Sequence, residues 1–166
     1  TLFLVANGKL CMPFLYLSSF FERNRGLYYD NLTMTREKSD LRHWVVYFLT
    51  GVQVTADESI KTLQKILELK TRLEANEITA MGKRSKSGYE LLRLLFKYPV
   101  VSVKDVQAKM DVTAKTAGDL IGFFEVHEIL KEVTNQQRNR KFVFPEYMNL
   151  FTECIPNKDG ENGKVM

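Results

Sequence analysis

The basic segment TNQQRNRKFVF, residues 134–144, carries the side chains of this chain that are best suited to binding an acidic ligand. Its cations are Arg138, Arg140 and Lys141, and they stand beside the apolar residues of a predicted strand. Cations grouped in this way bind the phosphates of a nucleic-acid backbone through contacts that do not depend on base sequence. The alternative interpretation is a solvated hairpin edge whose charges prevent unwanted strand pairing.

A second polar group, Thr113, Lys115 and Thr116, lies at the start of a predicted helix. In helix-turn-helix proteins the first residues of the second helix contact base edges in the major groove. Lys115 and Thr116 suit phosphates or base edges. Asp119, on the next turn, is repelled by phosphates unless it is paired or accepts a hydrogen bond from a cytosine amino group. The same helix is also compatible with a protein-docking or dimerisation role.

The cysteines and histidines are not spaced for metal binding or catalysis. Cys11 and Cys154 are far apart in the chain, and His43 and His127 are each isolated. Metal-binding sequences instead place such residues in closely spaced pairs. We therefore predict no metal site and no catalytic residue in this chain. Two separate thiols also suit a reducing compartment, so we expect a cytoplasmic protein.

The composition is that of a globular protein. The chain has 166 residues, 45% apolar and 27% charged, which is enough for one ordinary domain or two small ones. Its net charge of +4 arises mostly in the second half. No apolar run approaches the roughly 18–20 residues that a membrane-spanning helix requires, so no membrane partner is predicted.

The first half of the chain is predicted to be helical. Ser19 and Glu22 fit a capping box at the start of a helix that runs to about Lys38. From Asp40, apolar residues recur at helical spacing for about 30 residues or more, which predicts an unusually long helix that connects two domains. Residues 75–87, with their KRSKSG run, are the predicted linker or boundary after that helix.

The second half has the sequence pattern of a winged helix-turn-helix domain. Three helices are predicted, one that Pro99 ends, one that Ser102 caps and one that Thr113 caps. Two short strands around a polar turn follow them. This order of elements makes the basic segment the wing of the domain, with Phe142 or Val143 anchoring it inward.

Residues 16–32, YLSSFFERNRGLYYDNL, resemble a motif in the C-terminal half of bacterial Fic-family AMP-transferases, where a run like YLSxYFERNRxxYYxxL follows the catalytic loop. The resemblance covers almost all of residues 1–155 and includes the phrase VTNQQRNRKFVF. It implies a mainly α chain, with the C-terminal helices of a Fic/DOC fold and the long connecting helix in residues 1–82. A winged helix-turn-helix domain with a small β-hairpin follows in residues 83–155. The polar tail, residues 156–166, is expected to be disordered.

The catalytic loop of Fic enzymes, HPFxDGNGRxxR, supplies a general-base histidine, an acidic magnesium ligand and a Gly-Asn-Gly-Arg cradle for the nucleotide phosphates. This loop does not occur in the chain. The resemblance therefore implies a non-catalytic portion without a cofactor, and ATP and Mg²⁺ for an intact parent enzyme. It also implies that Tyr28, Tyr29 and Arg36 border a nucleotide pocket. Packing in a helix-helix core is the alternative for both tyrosines.

The chain begins at Thr1 within an apolar run, so we expect a fragment whose missing N-terminal Fic region covered that run. Some of the apolar face of Trp44, Val45 and Phe48 is then expected to be exposed or covered by a second copy. The first predicted function is a regulatory portion of a Fic-family protein that binds double-stranded DNA. The second is a fragment of a complete enzyme for protein adenylylation. The third is a winged helix that docks another protein or dimerises.

Overall fold

The computed structural model describes residues 6–8, 17–38, 41–134, 136 and 139–152. The described chain is mainly helical, with one small antiparallel sheet of three strands, so the prediction of a mainly α protein is confirmed. It divides into two compact units, Thr1–Gln64 and Lys65–Met166. Among the described helices, none is both long and apolar enough to cross a membrane.

Two short helices belong to the first unit, α1 at Leu17–Arg23 and α2 at Arg25–Lys38. The single helix predicted for this region is therefore present but divided. The division falls at Asn24, whose side-chain Nδ2 donates a hydrogen bond to the carbonyl of Phe20 at 2.9 Å, alongside the Asn24 backbone N–H, which donates to the same carbonyl at 3.0 Å. The predicted capping box is wrong, because Ser19 lies inside α1 rather than at its start.

The next helix, α3, spans Arg42–Leu73 and confirms the predicted long helix with its 32 residues. In the first unit it packs against α1 at Gly51. A Cβ atom there would lie only 2.6 Å from the ring of Phe20, so glycine allows the two helices to approach closely. Arg23 and Glu58 also join α1 to α3, through two hydrogen bonds of 2.8 and 2.9 Å.

The segment that follows α3 is structured. One π-helical turn at Glu74–Ile78 and a 3₁₀ turn at Gly82–Arg84 carry the chain directly into α4, Ser85–Lys97. Ile78 is fully buried in the core of the second unit, which fixes this segment in place. Residues 75–87, predicted as a linker or boundary, are therefore structured, and the division between the two units falls earlier, inside α3.

The second unit adds a sheet and three further helices to α4. In chain order these are β1 at Val100–Ser102, α5 at Val103–Met110, α6 at Ala114–Val126, β2 at Lys131–Glu132, β3 at Lys141–Val143 and α7 at Pro145–Thr152. The sheet order is β1-β3-β2, and Phe142 stands opposite Val101 on one side and Glu132 on the other. The two predicted strands are present as β2 and β3, whereas β1 and α7 are not predicted from the sequence.

One hydrophobic core holds the second unit together. Val106 of α5, Phe124 of α6 and Phe142 of β3 are buried in it, and Phe142 is thus the inward anchor of the hairpin. Leu69 and Leu73, at the end of α3, belong to the same core. The long helix therefore ends inside the second unit, where its last two turns are packed.

Helix caps fix where α5 and α6 begin, and both predicted caps are confirmed. Ser102 and Asp105 form a capping box, in which the Ser102 backbone N–H donates to Asp105 Oδ2 at 2.8 Å. Thr113 caps α6 by accepting a hydrogen bond from the Thr116 backbone N–H at 3.2 Å. Between the two helices, Asp111 adopts a left-handed conformation with φ of 52°, which turns the chain sharply.

Candidate nucleic-acid interface

The outer face of α6 carries the predicted base-reading residues. Its inner face is buried through four residues, Ala117, Leu120, Ile121 and Phe124. Lys115 is exposed on the first turn, and it pairs with no acidic side chain in the part of the chain that the structure describes. Its ammonium group is therefore available to a phosphate or a base edge.

Thr113 and Thr116 already have a structural role at the start of α6. Their Oγ1 atoms lie 2.9 Å apart, and Thr113 Oγ1 also accepts the backbone hydrogen bond that caps the helix. A ligand at this position would share these hydroxyl groups with the cap. The structure thus brings Thr113, Lys115 and Thr116 together on one turn, as predicted, and leaves Lys115 as the freest of the three.

The start of α4 lies beside the start of α6. Arg84, Ser87, Thr116 and Asp119 line a shared surface depression of about 130 Å³, with Leu120 beneath it. Arg84 Nη1 is 3.7 Å from Asp119 Oδ2, so the acid on α6 has a cationic partner from the 3₁₀ turn that precedes α4. Sequence reasoning assigned the KRSKSG run to a linker and therefore missed this convergence.

Two more cations extend this surface. Lys83 and Lys86 flank Arg84 in the chain, and both side chains are exposed. We use the name cationic surface for Lys83, Arg84, Lys86 and Lys115: Arg84 lines the depression beside α6, Lys83 and Lys86 are its neighbours in the chain, and Lys115 directly precedes Thr116. Fixed positive charges at one place favour a polyanion, because each phosphate contact releases condensed counterions.

Arg140, in contrast, is neutralised within the protein. Its Nη2 atom lies 2.6 Å from Glu132 Oε2 and 3.4 Å from Glu125 Oε1, and its guanidinium lies 4.9 Å from the centre of the Phe142 ring. The hydrogen bond from Arg140 lowers the pKa of the Glu132 carboxyl, and the same bond raises the pKa of Arg140. Arg140 therefore links the two strands of the hairpin to each other and to the end of α6.

The basic segment contains two further cations, Lys141 and Arg138. Lys141 is exposed on β3, and its backbone N–H donates to Thr134 Oγ1 at 3.1 Å. Arg138 lies outside the described residues. Asn139 has a φ of 55°, so the chain passes through a left-handed residue two positions before β3 begins. Lys141 is thus exposed to a ligand, as is Lys131 on β2.

The residues that the resemblance assigns to a nucleotide pocket lie along α2. Tyr28 is half-buried and packs edge-on against Trp44, with ring centres 5.5 Å apart. Tyr29 is 52% exposed, and the guanidinium of Arg25 lies 5.6 Å from its ring centre. Arg36 is exposed in the last turn of α2. These contacts favour the core interpretation for Tyr28, while Tyr29 and Arg36 remain surface residues.

Tyr28 belongs to a larger aromatic cluster of the first unit. Phe21 lies at its centre and has ring-centre distances of 5.3 Å to Tyr28, 5.9 Å to Tyr47 and 6.3 Å to Trp44. Burial raises the pKa of the Tyr47 hydroxyl, and the neighbouring Tyr28 raises it further. Aromatic pairs at such distances contribute to stability beyond their buried area. The cluster joins α1, α2 and α3.

The described residues include no group of three or more His, Cys, Asp or Glu side chains that could hold a metal ion. No protein-family model matches the chain.

Proposed function

We propose that the second unit is a winged helix-turn-helix domain that binds double-stranded DNA. In this proposal α5, the turn at Asp111 and α6 form the helix-turn-helix, and β2 with β3 forms the wing. The order of helices and strands supports it, because a capped amphipathic helix comes directly before an antiparallel hairpin. The major groove of B-DNA is wide enough to admit such a helix.

The observation that carries this proposal is the cationic surface around the start of α6. Arg84 and Ser87 line one depression with Thr116, so the start of α4 and the start of α6 lie side by side. Lys115 would meet base edges or a phosphate, and Lys83 and Lys86 would contact flanking phosphates. The proposal therefore moves most of the phosphate binding from the hairpin to the start of α4.

The wing has a smaller role in this arrangement than the sequence indicates. Arg140 is occupied by Glu132 and Glu125, and removing it from them would leave two carboxylates near the phosphates. Lys141 and Arg138 are the hairpin residues that we retain as phosphate ligands.

We also propose that the chain is a regulatory, non-catalytic C-terminal portion of a Fic-family protein in the cytoplasm. The support is the resemblance of residues 16–32 and of the basic hairpin segment. An intact parent would transfer AMP from ATP with Mg²⁺, and Tyr29 and Arg36 are then the better placed candidates for contact with the nucleotide. Reading the coding sequence upstream of the Thr1 codon for HPFxDGNGR tests this part directly.

A docking or dimerisation module is the second candidate function. The neutralised state of Arg140 favours it, since a wing without this cation has less attraction for DNA. In that case α6 and the hairpin would contact a protein, and the charges around them would only keep the surface soluble.

Titration of the full chain with random-sequence duplexes at several salt concentrations separates the two candidates. For a DNA-binding domain we expect the logarithm of the binding constant to fall linearly with the logarithm of salt. Lys83→Ala and Lys86→Ala should each weaken binding and reduce the slope by about 0.9 per lost phosphate contact. Lys61→Ala, which removes an exposed lysine of α3, is the charge-matched control.

The result that overturns the DNA proposal is the absence of salt-sensitive binding even at low ionic strength. Equal effects of Lys83→Ala and Lys61→Ala would also contradict it, because they would show attraction to net charge alone.

A further inference from the structure

Asp119 places a negative charge inside the cationic surface around α6. It lies one helical turn beyond Lys115 on the exposed face, and its carboxylate is 3.7 Å from Arg84. The two side chains are 44% and 69% exposed, and an ion pair at such exposure adds little to folding stability.

For a protein that binds DNA, an unpaired carboxylate here would be unfavourable. The phosphates of both strands surround the groove that α6 would enter, and each repels a like charge. Arg84 offsets the charge of Asp119 from the 3₁₀ turn that precedes α4. The carboxylate can then stay on the face of α6 without abolishing the attraction to the backbone.

We propose that Asp119 is a specificity-determining residue that accepts a hydrogen bond from the N4 amino group of a cytosine, while Arg84 neutralises it and contacts an adjacent phosphate. This inference rests on the proposed DNA-binding function, and it adds to that function the base that the domain selects.

The chemistry of the base edges selects cytosine. Asp119 as a carboxylate only accepts hydrogen bonds, so it needs a donor in the major groove. Cytosine N4 and adenine N6 are the donors there, but adenine also presents N7, whose lone pair repels a carboxylate. Guanine and thymine present acceptors at the corresponding positions. A carboxylate on the second turn of α6 therefore favours cytosine and discriminates against the other three bases.

Arg84 can contact both the Asp119 carboxylate and a DNA phosphate. It comes from the 3₁₀ turn that precedes α4, and its guanidinium has five donors, so it can keep one carboxylate contact and still bind a phosphate oxygen. Lysine at this position would provide the charge but not the planar, forked geometry. The separation of 3.7 Å in the free chain leaves room for the guanidinium to turn towards DNA.

The test is a selection from duplexes with a randomised region, followed by titration with duplexes that differ at one base pair. The full chain should select a cytosine that contributes about 5- to 150-fold in affinity, the range of one good base contact. Asp119→Asn should transfer the preference at that position to adenine, because an amide pairs with adenine N6 and N7. Asp119→Ala should abolish the preference.

Glu128→Gln is the matched control. It also removes one exposed negative charge, and it lies beyond the far end of α6. We expect it to leave the selected sequence unchanged. A circular dichroism spectrum and melting curve for each variant establish that the fold is intact.

A double substitution tests the role of Arg84. Arg84→Ala should weaken binding to every duplex, because it removes a phosphate contact and leaves Asp119 uncompensated. Arg84→Ala combined with Asp119→Ala should bind random duplexes more tightly than Arg84→Ala alone.

The possible results separate the inference about Asp119 from the proposed DNA-binding function. An unchanged base preference in Asp119→Asn, with DNA binding intact, overturns the inference and leaves the proposed function standing. The absence of salt-dependent duplex binding by the full chain overturns both. A change of preference in Asp119→Asn but not in Glu128→Gln supports the inference.

Discussion

The guanidinium of Arg140 lies between two glutamates, although the sequence favours a phosphate contact for it. The fold brings both acidic partners to Arg140. Glu132 comes from the paired strand β2, and Glu125 comes from the end of α6. Neither pairing follows from spacing along the chain. The contact between Arg84 and Asp119 is hidden from sequence reasoning for the same reason, whereas the turn containing Thr113, Lys115 and Thr116 is local and could be predicted.

Arg140→Ala is therefore expected to affect stability more than DNA binding. It removes the link between the hairpin, β2 and α6, so the melting temperature should fall. The salt dependence of DNA binding should keep its slope, because Arg140 makes no phosphate contact in our proposal. Lys141→Ala should do the reverse, with an unchanged melting temperature and a slope reduced by about 0.9. A reduced slope in Arg140→Ala would instead show that Arg140 contacts a phosphate.

The capping box of α5 should make stability depend on pH. Hydrogen bonds from Ser102 hold the pKa of the Asp105 carboxyl below its ordinary value. Because the folded-state pKa is the lower one, the contribution to stability is complete above the unfolded value of about 3.9. It is lost as the pH falls through the lower folded value. Asp105→Asn should therefore unfold at less urea than the unchanged chain at pH 7.

The difference in urea midpoint between Asp105→Asn and the unchanged chain should disappear as the pH falls below about 3.9. Urea titrations at a series of pH values measure it. Asp57→Asn, which replaces an exposed acid of α3, is the control and should show no such convergence. If Asp105→Asn still unfolds at less urea than the unchanged chain in acid, the charge of the Asp105 carboxylate is not what stabilises the cap.

At the scale of the elements, amphipathic spacing and helix caps are enough to predict α3, α4, α5 and α6. They do not reveal the turn at Glu74–Ile78, because its one deeply buried residue, Ile78, stands among polar neighbours. Nor do they reveal β1, whose three residues acquire strand geometry only by pairing with β3. Both misses concern short segments whose conformation is set by tertiary contacts rather than by local propensity.

The end of α3 offers a matched pair of leucines. Leu69 is 4% exposed in the core of the second unit, and Leu67, on the same helix, is 62% exposed. Leu69→Ala should lower the free energy of unfolding by about 2–5 kcal/mol, because it leaves a cavity. Leu67→Ala should change it by no more than about 0.5 kcal/mol. Denaturant titration of both variants measures the difference.

The two leucine variants also test where the second unit begins. If the packed core started only after residue 82, Leu69→Ala would cost as little as Leu67→Ala. That result would contradict the placement of the last turns of α3 inside the core.

At the scale of the whole molecule, apolar side chains are distributed unevenly. The second unit buries a continuous core, whereas the first unit leaves large apolar residues of α3 in contact with solvent. Val45 is 48% exposed and Phe48 is 38% exposed, in line with the exposure expected from the sequence, while Trp44 is half-buried in the aromatic cluster. The apolar run at residues 2–5 lies outside the described residues.

Val46 and Leu49 are the best positions at which to probe this apolar surface. They are 59% and 58% exposed, so Val46→Lys and Leu49→Lys should change the free energy of unfolding by no more than about 0.5 kcal/mol. A contiguous apolar patch binds hydrophobic dyes and partner surfaces, so both variants should reduce the fluorescence of such a dye and any self-association seen by light scattering. Val126→Lys is the control, because Val126 is 80% exposed in the second unit. Dye fluorescence that falls equally in all three variants would show that single exposed side chains, and not a patch on α3, bind the dye.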